Sequence, residues 1–82
     1  MSGPAVMALI SRSEQKAKNG DLDSAAASLE RALDLEPRNP FVYQKLATLR
    51  LEQGQAEQSE ALARKANSLA GNNPFIKAAN WR

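Results

Sequence analysis

The chain has 82 residues, enough for one small domain that buries little more than about 60% of its unfolded surface, and its 11 basic and 9 acidic side chains leave a net charge of +2. It contains no cysteine and no histidine, which excludes disulfides, thiolate chemistry and cysteine–histidine zinc sites. Alanine, leucine, glutamate, glutamine, lysine and arginine dominate and only 5% of residues are aromatic, which predicts an all-α domain.

The first helix is expected over Pro4–Lys18, with proline in its first turn. Val6, Leu9, Ile10, Ser13 and Ala17 fall three and four apart, giving one apolar and small face, while Glu14 and Lys18 form an i,i+4 pair on the wet side. Asn19-Gly20 ends it, glycine supplying the left-handed exit. A second helix follows, capped by Asp21 or Asp23, with Leu22, Ala25, Ala26, Leu29, Ala32 and Leu33 as its buried stripe. Pro37 stops it.

A third helix is expected over Phe41–Gln53, with Val42, Tyr43, Leu46, Leu49 and Leu51 apolar, and Gly54 closes it. The fourth covers Ala56–Ala70, burying Leu62, Ala63, Ala66 and Leu69, with Glu60 and Arg64 paired outside. A fifth helix starts near Pro74 and is cut short after Trp81-Arg82, so it acts as a partial cap; Trp81 belongs to its core or to a continuation. Short connections make successive helices antiparallel.

These elements repeat. Gly20 recurs 34 residues on as Gly54, Ala32 as Ala66, Leu35 as Leu69, and Asn39-Pro40-Phe41 as Asn73-Pro74-Phe75, without an insertion. A fixed period of this length means one helix pair stacked on a copy of itself. The expected organisation is therefore a single domain over 1–82, an α-solenoid of five helices. It has one unit at 6–39, a second at 40–73 and the truncated capping helix at 74–82.

Catalysis has little to stand on. Ser11 and Ser13 lack a base, the carboxylates lie on helix surfaces or turns, and no glycine-rich phosphate loop is present. Asp21 and Asp23 as a metal pair compete with the simpler reading that they cap a helix, so neither a metal nor a cofactor is expected. No run of like charges tracks a phosphate backbone, and nucleic acid is not expected as a partner. Arg12, Lys16 and Lys18 form a small basic patch, read either as a solvated face or as a dock for an acidic partner. Residues 1–10 lack the pattern of a signal peptide, and nowhere do about 18 apolar residues run together to span a bilayer. Met1-Ser2-Gly3-Pro4 reads as a linker or junction and Asn80-Trp81-Arg82 falls within the last helix, so the chain is expected to be a piece of a longer protein.

The order helix, Gly-Asp turn, helix, Pro-Arg-Asn-Pro resembles the tetratricopeptide repeat, a 34-residue helix pair that stacks into a right-handed superhelix. At the three sites where that family keeps small residues to let helices approach, the first unit has Ser13, Ala25 and Ala32 and the second has Ala47, Ser59 and Ala66. The sequence departs from the pattern at Arg12, Lys16, Arg50 and Gly71, which replace a leucine, two tyrosines and a proline. The resemblance implies a non-enzymatic protein–protein interaction module with a concave groove lined by the first helix of each pair. Carried over, the groove residues are Met7, Ile10, Glu14, Ala17 and Lys18, then Phe41, Gln44, Thr48, Leu51 and Glu52, then Phe75, Ala78 and Arg82. Phe41 and Phe75 recur at the same place, where each either staples its helix start or contacts a partner. Chaperone-binding members use a carboxylate clamp here; Ile10, Glu14 and Phe41 occupy clamp positions, and Lys45 alone cannot form one.

Asn67-Ser68-Leu69-Ala70-Gly71 followed by Ala79-Asn80-Trp81-Arg82 is similar to the tetratricopeptide portion of gammaproteobacterial outer-membrane lipoproteins of the Lpo type, activators of bifunctional penicillin-binding proteins. That resemblance implies a periplasmic location, tethered to the outer membrane in the full-length protein, regulation of peptidoglycan synthesis, and a class A penicillin-binding protein as partner. The alternatives are a structural or oligomerisation scaffold, as a monomer or weak dimer, and a cytoplasmic adaptor with another partner.

Overall fold

The computed structural model describes residues 3–71, which are all-helical, with no strand among them. Four helices follow in order: α1 (Pro4–Lys18), α2 (Leu22–Leu35), α3 (Pro40–Glu52) and α4 (Ala56–Ala70). The helix expected from Pro74 lies outside the described residues. Consecutive helices pack as pairs, α1 on α2 and α3 on α4, and α2 packs on α3 to join the two pairs.

The repeat is visible at the level of single hydrogen bonds. Gly20 adopts φ +84° and Gly54 φ +78°. The N–H after the first glycine, that of Asp21, donates to the Lys16 carbonyl at 2.9 Å, and Gln55 N–H donates to Arg50 O at the same distance. Gly20 N–H reaches Ala17 O at 3.0 Å, as Gly54 N–H reaches Leu51 O. Both helices thus end in one Schellman turn, in which a left-handed glycine satisfies the last carbonyls and sends the chain back antiparallel.

Helix starts differ more. Asp21 caps α2, its carboxylate accepting from Ser24 N–H at 3.1 Å. Hydrogen bonding from Ser24, aided by the Lys16 charge, holds this carboxyl below its usual range. Asn39 caps α3, its Oδ1 accepting from Phe41 N–H at 2.9 Å and more weakly from Val42 N–H at 3.4 Å. The helix therefore begins at Pro40, one residue before the expected start, because proline at the first position needs no hydrogen-bond partner. Glu36 ties the ends of the first unit together. Its Oε2 accepts from Gly3 N–H and its Oε1 from the Asn39 amide, both at 2.8 Å.

The core lies on both sides of α2. Val6 and Ile10 from α1, Ala25, Ala26, Leu29 and Ala32 from α2, and Val42, Leu46 and Leu49 from α3 form one cluster. Leu29, Val6 and Val42 are its largest fully enclosed side chains. The small residues sit where helices cross: Ala25, Ala32 and Ala66 are completely buried, which permits the close axial approach such crossings require. Ser59 adds a direct bond, its Oγ donating to the Ala47 carbonyl at 2.7 Å across the α3–α4 crossing.

Two expected stripes are narrower in the structure. On α4 only Ala66 is buried, with Leu62, Ala63 and Leu69 half-buried. On α3, Leu51, an expected groove residue, is 59% exposed, and Tyr43 is half-buried, its hydroxyl donating to the Pro37 carbonyl at 3.0 Å. On α2, Leu22 and Leu33 pack only partly against the cluster. Arg50, one of the four departures from the repeat pattern, joins the pairs: it reaches Glu30 and Gln53, each at 2.9 Å, and Gln53 in turn reaches Asp23 at 3.0 Å. No helix among the described residues is long and apolar enough to cross a membrane.

Candidate partner-binding groove

The groove is built where α1 and α3 lie side by side over α2. A cleft of about 240 Å³ opens there, lined by Ser13, Glu14 and Ala17 of α1, Leu29 of α2, and Phe41, Gln44, Lys45, Thr48, Leu49 and Glu52 of α3. The α3 contributors recur at helical spacing of three and four, so the same winding that buries Val42, Leu46 and Leu49 presents Phe41, Gln44, Thr48 and Glu52 along one rim. Leu29 and Leu49 form an apolar floor, with half-buried Ala17 beside them.

Charge at the rim is partly paired. Lys45 Nζ meets Glu14 Oε2 at 2.6 Å, closing α1 against α3. The same ammonium stands 5.5 Å from the centroid of the Phe41 ring, within cation–π range. Phe41 lines the cleft and is 44% exposed, so its ring is open to solvent there beside the Lys45 ammonium. The bond to Lys45 is a tertiary contact, in place of the expected local pair of Glu14 with Lys18. The expected Glu60–Arg64 pair is present on α4 at 3.2 Å.

Of the residues carried over from the repeat pattern, the structure brings Glu14, Ala17, Phe41, Gln44, Thr48 and Glu52 together around this cleft. Met7 is exposed about two turns before it and Lys18 is exposed beside it. Leu51 lines a second cleft of about 680 Å³ between α3 and α4, which shares Thr48 with the first. Ile10 is placed differently: it is 5% exposed and belongs to the core cluster, so its side chain supports α1 from beneath. The residue spacing put Ile10 on the same face as Val6 and Ser13, and that face is the one buried. Phe75, Ala78 and Arg82 lie outside the described residues. Lys45, weighed in the sequence only as a lone clamp cation, lines the cleft too, as do Ser13, Leu29 and Leu49 from the expected core and small positions. Its i,i+4 relation to Phe41 on one helix is the signal that points to it.

The lining is mostly aliphatic and aromatic with a polar rim. Among the described residues no group of three or more potential metal ligands is assembled. What it can do is accept apolar side chains from another chain while its rim hydrogen-bonds to that chain.

A tetratricopeptide-repeat family model matches residues 16–79. Among solved structures, the chain is similar to the globular C-terminal domain of P. aeruginosa LpoP, with 43% sequence identity over 99% of this chain and 76% of that one, and a TM-score of 0.94. No curated protein matches the chain.

Proposed function

The chain belongs to the tetratricopeptide-repeat family, and from that premise we propose that it is a non-enzymatic interaction module of an Lpo-type outer-membrane lipoprotein, standing in the periplasm and regulating a class A penicillin-binding protein. The observation that carries this reading is the likeness to the LpoP domain, at 43% identity over 99% of the chain, far above the level at which a likeness speaks for fold alone. The Asn67–Gly71 and Ala79–Arg82 segments support it as the sequence features that resemble Lpo-type proteins.

The groove is the contact surface in this account. Its rim residues Phe41, Gln44, Thr48 and Glu52 sit on a helix anchored at its start by Asn39 and at its end by the Gly54 turn. The surface is therefore pre-formed, which lowers the ordering cost of binding. Mixing the chain with the periplasmic region of a class A penicillin-binding protein from the same organism, and measuring both association and glycan-strand synthesis, tests the reading. Binding with faster synthesis is expected. Neither binding nor stimulation of any such synthase contradicts the penicillin-binding-protein assignment.

A further inference from the structure

The α3–α4 cleft has a counterpart in the first unit. Moved back by the 34-residue repeat, its lining residues Leu51, Glu60, Ala63 and Asn67 become Ala17, Ala26, Leu29 and Leu33. All four of these are buried or half-buried in or against the cluster that α3 completes. In the second unit Leu51 and Glu60 are exposed and Ala63 is only half-buried. The cleft is thus the seat that a further helix would take.

The residues after α4 carry the register of such a helix. Asn73-Pro74-Phe75 repeats the Asn39-Pro40-Phe41 at which α3 starts, and the tetratricopeptide match runs past α4 to residue 79. From Pro74 to Arg82 a helix would extend about 13 Å, or about two and a half turns. In this register Val42, fully enclosed, becomes Ile76, and buried Leu46 becomes Asn80. The link Gly71 to Asn73 is no longer than the Glu36 to Asn39 turn that brings α3 onto α2, so the segment reaches its own α4.

Floor and segment also change together. Glu14 pairs with Lys45 between α1 and α3; the counterparts are Thr48 and Ala79, neither of them charged. Leu29 and Val42 belong to one cluster, and their counterparts Ala63 and Ile76 move bulk from the floor to the segment. Leu33 packs against the cluster that holds Leu46, and the counterparts are both asparagines, Asn67 and Asn80. Asn67 Oδ1 is buried and has no hydrogen-bond partner among the described residues, which is costly until a donor reaches it. A segment of another protein would have no reason to track these changes.

We propose that residues 74–82 lie across the α3–α4 cleft as α3 lies across the first unit, with Ile76 over Ala63 and the Asn80 amide donating to Asn67 Oδ1. The chain then seals its own second unit, as terminal repeats of a stacked array must be sealed. The α3–α4 cleft is closed to partners, and the α1–α3 cleft is left to them. Docking of the segment does not depend on the partner proposed above.

Nuclear Overhauser spectra of the full isotope-labelled chain test it. Cross-peaks between the Ile76 and Ala63 methyls are expected, and in a mixture of labelled and unlabelled chains they should arise within one chain. Asn67→Leu and Asn80→Leu, made singly, should each lower the thermal midpoint by roughly 4–8 °C. The double substitution restores the leucine pair of the first unit and should recover at least half of the summed loss. Absence of contacts from Ile76 to α3 or α4, or single substitutions that cost nothing or simply add, overturns the proposal. Cross-peaks between chains in the mixture would assign the cleft to a second copy and overturn it too. None of these outcomes bears on the α1–α3 groove, which is read separately from shifts at Phe41 and Gln44.

Discussion

Replacing Leu29 with alanine tests the packing that holds the groove. Leu29 is 2% exposed and sits at the centre of the cluster joining α1, α2 and α3, and its side chain also forms part of the cleft floor. Truncation removes the transfer free energy of the lost atoms and leaves a void enclosed by helices that cannot all close in, so a cost of about 3–4 kcal/mol is expected from the 2–5 kcal/mol range for buried leucines. A domain of this size is stable by roughly 4–12 kcal/mol, so the loss is a large fraction of the total. At about 4–8 °C per kcal/mol for such domains, the midpoint should fall by more than 10 °C. Urea denaturation followed by far-ultraviolet circular dichroism measures it, with a lower midpoint and an unchanged slope. Leu35→Ala is the control: that leucine is 57% exposed, and its loss should stay within about 0.5 kcal/mol. A cost for Leu29→Ala below about 1 kcal/mol, or equal to that of Leu35→Ala, would refute the placement of the core along α2.

Gly20→Ala should destabilise by about 1–2 kcal/mol, because φ is +84° there while no atom stands in the way of a side chain; an unchanged thermal midpoint would contradict the left-handed turn. Ser59→Ala should cost about 0.5–1.5 kcal/mol by removing the bond to Ala47 O, seen as a lower urea midpoint, whereas a neutral result would mean the α3–α4 crossing does not depend on it. The Glu36 carboxyl is held below its ordinary value, first by the Gly3 N–H and then by the Asn39 amide, against the opposing effect of desolvation. A lowered folded-state pKa gives stability that is present above the unfolded value, near 4.5, and is lost as pH falls through the folded one. Thermal midpoints of the parent and of Glu36→Gln should therefore differ at neutral pH and converge as the solution is acidified through and below that value; a constant difference would show that the charge is not what matters.

Much of the scaffold was legible because its signals are local. A glycine followed by a polar residue 34 positions apart marks two identical turns, and small residues at fixed offsets mark the crossings, as Ala25, Ala32 and Ala66 bear out at complete burial. The groove was less legible because it depends on which way a helix faces. Ile10 and Leu51 are both apolar residues of first helices, yet one is enclosed and the other is 59% exposed, since only the packing against α2 decides the face. Pairings across the fold were the least legible. Nothing near Glu14 in the chain announces Lys45, 31 residues away, and Arg50 looked like a defect in the repeat until its link to Glu30 placed it between the helix pairs.

The central claim, that the α1–α3 face is the working surface, is tested most directly by NMR on the isotope-labelled chain titrated with the periplasmic region of a class A penicillin-binding protein. The account predicts shifts or selective broadening at Phe41, Gln44, Lys45, Thr48 and Glu52, lost when Phe41 is replaced by alanine. Perturbations confined to α2 and α4, with Phe41→Ala binding as the parent does, would contradict it.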